Sequence, residues 1–264
     1  MPKRLDAKGV RRHWDKNVKT HGLSHAASWT DLPMIEREAR EISQRLADGD
    51  RVLDVGCGNG FTTVRLAIER DIHVRGVDFI PGMIKNAQKR LGRGSPLARR
   101  VTFAVGDVTS LKEEDAAYDK VVSVRVLINL VRHSDQKRAL QECARVLKSG
   151  GQFLLSEAML EGWQRLNRFR KEWGLEEIPM PPFNHYLEEK ALLGMTSPYF
   201  RLVESVNFSS TYYVGTRLLK PVLMKALKSK KDAADPLMQW NRWFSALPAW
   251  GEYGTQKLFV FEKK

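Results

Sequence analysis

The sequence predicts an α/β fold in which a parallel, doubly wound sheet is covered by helices. Between residues 51 and 157, short β-rich runs alternate with stretches of helical spacing. This alternation is typical of parallel sheets with helices on both faces. The chain has 264 residues, of which 42% are hydrophobic. This is enough for one large α/β domain, or for a core domain that carries a cap.

Short, β-branched runs bounded by turn residues are predicted to be buried strands, at residues 51–55, 74–78, 101–105, 120–124 and 152–157. Helical spacing lies between them at residues 62–70, 81–91 and 135–147. The last of these helices is followed by residues 148–151, whose glycines predict a helix stop before the next strand.

The remaining segments are predicted to form a cap and a lid. A helix is predicted over residues 33–46, and residues 201–208 and 257–262 alternate as two late strands. Segments 158–198 and 209–256 interrupt the core, and loops of this length are functional or carry structure of their own. We therefore predict an N-terminal helical cap over 1–48 and a core over 49–264, with lid insertions at about 158–198 and 209–256.

The composition excludes several classes of protein. No apolar run reaches the roughly 18 residues of a membrane span, and the basic N-terminus lacks the apolar segment of a secretory signal. Cys57 and Cys143 suffice for neither a disulfide framework nor a metal cluster, so we expect a cytoplasmic protein. The net charge of +13, concentrated in residues 85–100 and 217–231, leaves nucleic acid, an anionic membrane, an acidic substrate or a merely solvated surface open.

A glycine-rich turn, DVGCGNG from Asp54 to Gly60, follows the first predicted strand and opens a helix. Glycines permit positive φ and close approach of a ligand, and a helix N-terminus exposes free N–H groups. Asp78 ends the second strand, where it can accept both hydroxyl protons of a ribose. Asp107 follows the third strand, where a carboxylate can accept from an adenine amino group. Because ligands of such sheets bind at this edge, the pattern predicts a nucleotide pocket.

The pocket does not have the pattern of a nicotinamide dinucleotide site. That fingerprint requires a third glycine where this chain has Phe61, so helix and strand could not approach as closely. A P-loop is also excluded, because no Gly-Lys-Ser/Thr sequence follows the turn.

Five segments, in this order and spacing, resemble the successive motifs of class I S-adenosylmethionine-dependent methyltransferases. They are VLDVGCGNGFTTVRLA, VRGVDFIPGMI, VTFAVGDVTSL, YDKVVSVRVLINL and VLKSGGQFLLSE, and they cover about residues 50–157. The resemblance implies S-adenosylmethionine as the cofactor. It also implies a seven-stranded, mostly parallel Rossmann-like sheet whose last strand is antiparallel and lies between the fifth and the sixth.

The resemblance further implies which residues hold the cofactor. The implied contacts are Asp54, Gly56, Cys57, Gly58, Asn59 and Gly60 at the methionine end; Asp78 at the ribose; Phe79, Ile80 and Met83 on the adenine; and Asp107 and Val108 at its amino edge. Arg125 lies at the methionine moiety or, alternatively, steers an acidic acceptor. Trp29 is expected to cover the cofactor as the N-terminal helix folds over it.

The flanking segments resemble a narrower group, the methyltransferases of bacterial polysaccharide and natural-product clusters. These segments are residues 13–39, 166–189 and 247–264. After the fourth strand the chain reads RVLI, so it lacks the Asn/Asp-Pro-Pro-Tyr/Phe tetrapeptide of amino-methylating nucleic-acid enzymes. It also lacks the paired catalytic cysteines of cytosine-C5 enzymes.

Methyl transfer from a sulfonium is an in-line displacement that requires alignment, exclusion of water and, for a hydroxyl acceptor, removal of a proton. His185 in the lid and Glu157 at the end of the fifth strand are the predicted bases, with Glu161 and His133 as further candidates. A packing or structural role stays open for each. No cluster of His, Asp or Glu at ligand spacing predicts a metal. The aromatic residues that line an acceptor pocket, or instead form the core of the lid, are Trp240, Trp243, Phe244, Trp250 and Tyr253.

These observations predict an O-methyltransferase whose acceptor is a small molecule or glycan. The positive net charge of the chain is compatible with an anionic acceptor. An RNA methyltransferase is the second hypothesis, for which the net charge of +13 argues. Strong salt dependence of acceptor binding would indicate RNA. A non-catalytic S-adenosylmethionine-binding protein is the third, because a fold alone does not prove activity. The acceptor atom and the oligomeric state have no recognisable pattern in the sequence.

Overall fold

The computed structural model describes residues 4–92, 94–229, 235 and 238–264. At its centre is one seven-stranded sheet with the strand order β3-β2-β1-β4-β5-β7-β6. The strands are β1 (Arg51–Val55), β2 (His73–Asp78), β3 (Val101–Val105), β4 (Tyr118–Val124), β5 (Leu147–Ala158), β6 (Phe200–Val206) and β7 (Gln256–Lys263). β1 to β5 run parallel, whereas β7 is antiparallel to both β5 and β6.

Helices α1 and α2 precede the sheet, and the others lie between its strands. They are α1 (Ala7–His21), α2 (Leu32–Ser43), α3 (Phe61–Glu69), α4 (Pro81–Leu91), α5 (His133–Val146), α6 (Leu160–Glu172), α7 (Glu189–Thr196), α8 (Ser210–Tyr213), α9 (Lys220–Ala226) and α10 (Gln239–Ala246). A π-helix, Val214–Leu219, joins α8 to α9. The side chains of Asp6 and Asp31 cap α1 and α2 by accepting from backbone N–H groups of the first turn.

The core consists of two apolar layers, one on each face of the sheet. In β1, Leu53 and Val55 belong to one layer and Val52 to the other, as the alternation of side chains along a strand requires. Cys143 lies in the first layer and Cys57 in the second, and both are buried and free. Within the described part of the chain, no helix combines the length and the hydrophobicity needed to cross a membrane.

The predicted fold class is confirmed, including the position of the antiparallel strand. Three predicted ends were wrong: α2 ends at Ser43 rather than 46, β6 ends at Val206 rather than 208, and β5 begins at Leu147, directly after α5 ends at Val146. β5 pairs with β4 at Leu147 and again from Gln152, so the glycines between them form an irregularity of the strand rather than a helix stop. The division of the chain into cap, core and lid insertions stays a prediction.

Candidate functional site

A cavity of about 760 Å³ opens at the carboxyl ends of the parallel strands. This volume is within the range of pockets for small molecules and cofactors. One part of its wall, which we call the loop half, comes from α1 and α2 and from the turns after β1 to β4. The other part, the lid half, comes from α6, the segment after it, α8 with its π-helix, and the start of β7. The cavity therefore joins the predicted nucleotide pocket to the predicted lid.

The glycine turn approaches its neighbours too closely for side chains. Gly56 has φ +74°, and a Cβ atom there would lie 2.3 Å from Cγ2 of Val126. Gly58 has φ +55°, and its Cβ would lie 2.9 Å from Oγ of Ser28. Both glycines and Cys57 line the cavity. The turn is therefore held open for a ligand by backbone geometry, and substitution at Gly56 requires a shift of the turn after β4.

Gly60 has a different role from the one predicted. It is the N-cap of α3 with φ +73°, and it is not among the residues that line the cavity. A Cβ atom there would lie 2.9 Å from Cζ of Phe103 and 3.0 Å from Cβ of Ala87. Gly60 therefore allows α3 and α4 to pack closely. It also provides no side-chain cap for the helix, so the first N–H groups stay available to a ligand.

Asn59 ties the glycine turn to the N-terminal segment. Its Nδ2 donates to the carbonyl oxygens of Gly22 and Ser24, at 2.9 and 2.8 Å. Its Oδ1 is buried and has no hydrogen-bond partner within the described residues. Asn59 lines the cavity as a residue, and its two hydrogen bonds fix the N-terminal segment against the glycine turn.

Two carboxylates lie beneath the turn. Asp78 accepts from the N–H groups of Gly58 and Ile80, at 3.0 and 2.8 Å, and burial raises its pKa to about 6. Asp54 accepts from the hydroxyl of Thr63, and burial together with the nearby Asp78 raises its pKa to about 7. Each carboxylate oxygen has a second lone pair, so Asp78 can also accept from hydroxyl groups in the cavity.

An apolar shelf follows Asp78 along the loop half. Phe79, Ile80 and Met83 line the cavity, and the last two are buried. Asp107 and Val108 line it at the end of β3. The carboxylate of Asp107 accepts from the backbone N–H and the hydroxyl of Thr109, both at 2.8 Å. The predicted contacts thus surround one cavity, with Gly60 as the exception.

Arg125 is neutralised within the protein rather than free to steer an acidic acceptor. Its guanidinium pairs with the buried carboxylate of Glu38 and lies 4.6 Å from the ring centroid of Trp29. Glu38 also accepts from the hydroxyl of Ser156 at 2.6 Å. Arg125 has φ +56°, an uncommon value for a residue with a long side chain. The Arg125–Glu38 pair fixes α2 and Trp29 against the turn after β4. Trp29 lines the cavity, as predicted.

Glu157 lies beneath the cavity, which corrects the expectation that it faces the acceptor. It is fully buried and does not line the cavity. Its Oε1 accepts from the N–H groups of Val126 and Leu127, at 2.8 and 2.7 Å, and burial raises its pKa to about 8. These contacts hold the turn after β4 in place, so the geometry favours a structural role.

His185 also lies outside the main cavity. It lines a separate cavity of about 280 Å³ together with His133. Its Nδ1 is 3.2 Å from a guanidinium nitrogen of Arg4, and burial and the charge of Arg4 lower its pKa. Glu161, another candidate base, accepts from the N–H of Glu189 at 2.9 Å and lines neither cavity. The geometry therefore supports none of the four candidate bases.

The lid half is mostly aromatic and apolar. Its lining residues are Trp163, Leu166, Ile178, Pro179, Pro181, Phe183, Asn184, Tyr186, Tyr213, Arg217, Thr255 and Gln256. Trp163 donates from Nε1 to the carbonyl of Ile178 at 2.9 Å, which holds α6 against the following segment. The hydroxyl of Tyr213 donates to Gln256, and Arg217 pairs with the buried Asp31.

The aromatic residues proposed for an acceptor pocket pack elsewhere. None of Trp240, Trp243, Phe244, Trp250 and Tyr253 lines the cavity. Trp240 donates to the carbonyl of Gly215 at 2.9 Å, and Phe244 occupies the space that a side chain at Gly215 would need. Trp240 and Phe244 therefore form part of the core of the lid, which was the alternative to an acceptor pocket.

Several lining residues have no signal in the sequence that would have revealed them. Trp14 lines the loop half and donates from Nε1 to Asn129 at 3.1 Å. Trp163, Tyr186 and Tyr213 line the lid half from separate elements. Each is a single aromatic residue outside the five cofactor motifs, and its position depends on how distant elements pack. Among the described residues, no group of three or more His, Cys, Asp or Glu side chains is arranged to hold a metal ion.

Comparisons with known proteins agree with this geometry. A family model described as a methyltransferase domain matches residues 52–151. The O-methyltransferase rstn1 of Aspergillus nomiae is 29% identical over 72% of this chain and 85% of its own. The O-methyltransferase resE of Aspergillus sclerotiorum is 26% identical over 83% of this chain and 82% of its own. The crystal structure of the cyclase SpnF, 20% identical, superposes over 99% of this chain and 98% of its own with a TM-score of 0.64.

Proposed function

We propose that this chain, which belongs to the class I S-adenosylmethionine-dependent methyltransferases, methylates an oxygen atom of a small, largely apolar organic molecule. The observation that carries the proposal is the continuity of the cavity, which joins the polar glycine turn to an aromatic lid. The two relatives named as O-methyltransferases, each aligned over more than 70% of this chain, support oxygen as the acceptor atom.

The cofactor is assigned to the loop half. Bound S-adenosylmethionine supplies an electrophilic methyl group on a sulfonium. We assign Asp54, Gly56 and Gly58 to its methionine end, where the uncapped start of α3 favours a carboxylate. Asp78 is assigned to the ribose hydroxyls, for which it has free lone pairs. The remaining predicted contacts fit the adenine and its edge: Phe79, Ile80, Met83, Asp107 and Val108.

The lid half is assigned to the acceptor, and its chemistry favours alignment over proton abstraction. None of the described lining residues from 160 to 256 carries a carboxylate or an imidazole. Burial raises the pKa of Tyr186 to about 12 and that of Tyr213 still further, so both keep their protons at neutral pH. These residues can orient an acceptor and exclude water, which supplies a large part of a displacement rate. We therefore propose that the lid half aligns the acceptor hydroxyl for the displacement, and that its proton passes to bulk water once the methylated product reaches solvent.

The acceptor is proposed to be uncharged. Three arginines on the cavity wall have acidic partners within the protein: Arg217 pairs with Asp31, and Arg132 and Arg138 share the carboxylate of Asp135. A carboxylate or phosphate on the acceptor would have to compete with these partners. An apolar molecule with one reactive hydroxyl suits the wall better, because aromatic side chains provide most of the contact area.

Some of the basic residues that favour the RNA hypothesis make structural contacts within the protein. In the basic stretch 85–100, Arg90 donates to the carbonyl oxygens of Asn59 and Leu23. Arg100 donates to carbonyl oxygens at the end of α3 and before β2, among them that of Ala67 at 3.1 Å. These guanidinium groups stabilise the fold and are less available to phosphates. We also propose a cytoplasmic location, which suits the two free cysteines.

Label transfer tests the proposal directly. The protein is incubated with methyl-labelled S-adenosylmethionine and fractionated cell extract, and the label is followed into RNA, glycan and organic-soluble molecules. We expect label in the organic-soluble fraction, with the methyl group on oxygen by mass spectrometry. Label confined to RNA would contradict the proposal. Cofactor binding without turnover would also contradict it, and the similarity to a cyclase makes this control necessary.

A further inference from the structure

The helical segment formed by α8, the π-helix and α9, residues 210–226, carries cavity residues on one side and an exposed apolar stripe on the other. Tyr213 and Arg217 in this segment line the cavity. Leu219, Leu223 and Leu227 are exposed, with Leu223 at 43% and Leu227 at 78%. A spacing of four places the leucines one above another on a single face of the helix. The stripe therefore begins within one helical turn of Arg217, in the lid half of the cavity, and ends about three turns beyond it.

The opposite side of the segment is firmly packed. Lys220 is buried, and its Nζ donates to Oδ1 of Asn241 at 2.7 Å. Phe244 of α10 packs against Gly215 of the π-helix. The leucines are therefore the outward face of an anchored helix, whose exposed position is fixed by contacts on its other side.

Two tryptophans on neighbouring elements are exposed as well. Trp243 is 58% exposed on α10, which packs against this helical segment. Trp250 is 80% exposed, and its backbone N–H donates to Oγ1 of Thr211 at the start of the segment. Tryptophan is typical of the interface between lipid and water, where one end of the ring is apolar and the other polar.

The charge around the leucines is basic. Lys225, Lys228 and Arg242 are exposed, and residues 217–231 contain six basic residues and no acidic one. A helix with leucines on one face and lysines on other parts of its exposed surface has the composition of elements that lie flat on anionic membranes. An anionic lipid surface satisfies both the apolar stripe and the positive charge.

We propose that the exposed surface of this segment, with Leu219, Leu223 and Leu227 as its apolar stripe and Lys225 and Lys228 as its basic residues, binds the surface of an anionic lipid bilayer; we call this surface the lid face. The helix would lie in the interface, with its leucines among the lipid tails and its lysines at the headgroups. The lid half of the cavity would then lie beside the membrane, within reach of an apolar acceptor dissolved in the bilayer. This surface function does not depend on the methyl transfer proposed above.

Sedimentation with lipid vesicles tests the lid face on the full-length protein. Vesicles are made of phosphatidylcholine alone or with phosphatidylglycerol. We expect binding to the mixed vesicles only, weakened by added salt because the attraction is partly electrostatic. Absence of binding to phosphatidylglycerol vesicles, or equal binding to both kinds, would overturn the proposal.

Two matched pairs of variants locate the binding surface. The double variant Lys225→Glu/Lys228→Glu should bind at least about tenfold more weakly, since each lysine near an anionic surface contributes about fivefold. Lys85→Glu/Lys89→Glu, an equal charge reversal on exposed residues of α4, should bind as the wild type does. Leu223→Ser/Leu227→Ser should lose binding, whereas Ile68→Ser, at a residue 68% exposed on α3, should retain it.

The controls also decide between the membrane and other occupants. If the α4 lysines matter as much as Lys225 and Lys228, binding reflects net charge and the lid face is not the site. If the leucine variant abolishes self-association in sedimentation velocity while the wild type binds no vesicles, the face joins two copies of the chain and the proposal fails. Cofactor affinity, measured by calorimetry in the same variants, should be unchanged, which separates this outcome from failure of the methyltransferase proposal.

Discussion

The two halves of the cavity are built in different ways. The loop half follows consecutive strand ends, and its buried carboxylates are held by nearby backbone groups, as Asp78 is by Gly58 and Ile80. The lid half takes single residues from well-separated elements, such as Trp163 of α6 and Tyr213 of α8. The loop half is built from local geometry and tolerates few substitutions. The lid half is assembled by tertiary packing, and its residues can vary. This difference suits a constant cofactor and a variable acceptor.

Asp78→Ala should have the largest effect. The variant removes the acceptor assigned to the ribose hydroxyls, and the loss of two charge-assisted hydrogen bonds corresponds to about a 1000-fold weaker binding of S-adenosylmethionine. Isothermal titration calorimetry measures the affinity directly. Glu114→Ala, at an exposed carboxylate that does not line the cavity, should bind normally. Unchanged affinity of the Asp78 variant would remove it from the site.

Gly56→Ala should destabilise the protein more than Gly49→Ala, an equivalent change at another glycine of positive φ. At Gly49, φ is +88° and a Cβ atom would meet nothing within 4 Å, so Gly49→Ala costs only the left-handed backbone, about 1 kcal/mol. Gly56→Ala adds the contact with Val126, for a total of about 3 kcal/mol. Urea unfolding gives the two free energies. Equal losses would show that the turn after β4 moves freely, contrary to a rigid loop half.

Trp163→Ala should separate the two halves functionally. Trp163 lines the lid half, whereas Trp173, at the C-cap of the same helix, is exposed and lines neither cavity. With the acceptor identified by label transfer, Trp163→Ala should raise its KM about tenfold, as loss of a buried aromatic contact predicts. Trp173→Ala should leave KM unchanged, and both should bind S-adenosylmethionine normally. A weaker cofactor affinity in Trp163→Ala would mean that the halves are not independent.

Glu157→Gln should leave turnover intact and act only on the pH dependence of stability. Burial raises the pKa of Glu157 to about 8, so the folded state binds this proton more tightly than the unfolded state. The group therefore favours folding below the ordinary glutamate pKa, and this contribution is lost as the pH rises toward 8. Glutamine keeps an acceptor for Val126 and Leu127 without a charge.

We expect Glu157→Gln to be more stable than the wild type by about 4–5 kcal/mol at pH 8.5, since each pKa unit corresponds to about 1.36 kcal/mol, and equal to it near pH 4. Chemical denaturation at a series of pH values measures the difference. Glu172→Gln, at an exposed position, should follow the wild-type curve. A Glu157 variant that loses both stability and turnover at every pH would instead point to the ionised carboxylate as essential.

The sequence determined the sheet and the loop half. The spacing of β-branched runs and the alternation of two late segments located all seven strands, and the glycines of the turn together with Asp78 marked the end of the cavity that we assign to the cofactor. These features depend on local physics: strands alternate with helices in a fixed order, and positive φ favours glycine. The residue types alone therefore indicated where backbone and ligand approach each other.

Only the tertiary structure decided how the polar groups are used. Glu157 was predicted to face the acceptor because it ends a strand, but it turns to the backbone of Val126 and Leu127 beneath the cavity. Arg125 is neutralised by Glu38, a residue on a helix that precedes the sheet. A buried charge takes whichever partner the fold brings near it, because desolvation without a partner is costly. That choice depends on contacts between distant segments, which no local pattern in the chain records.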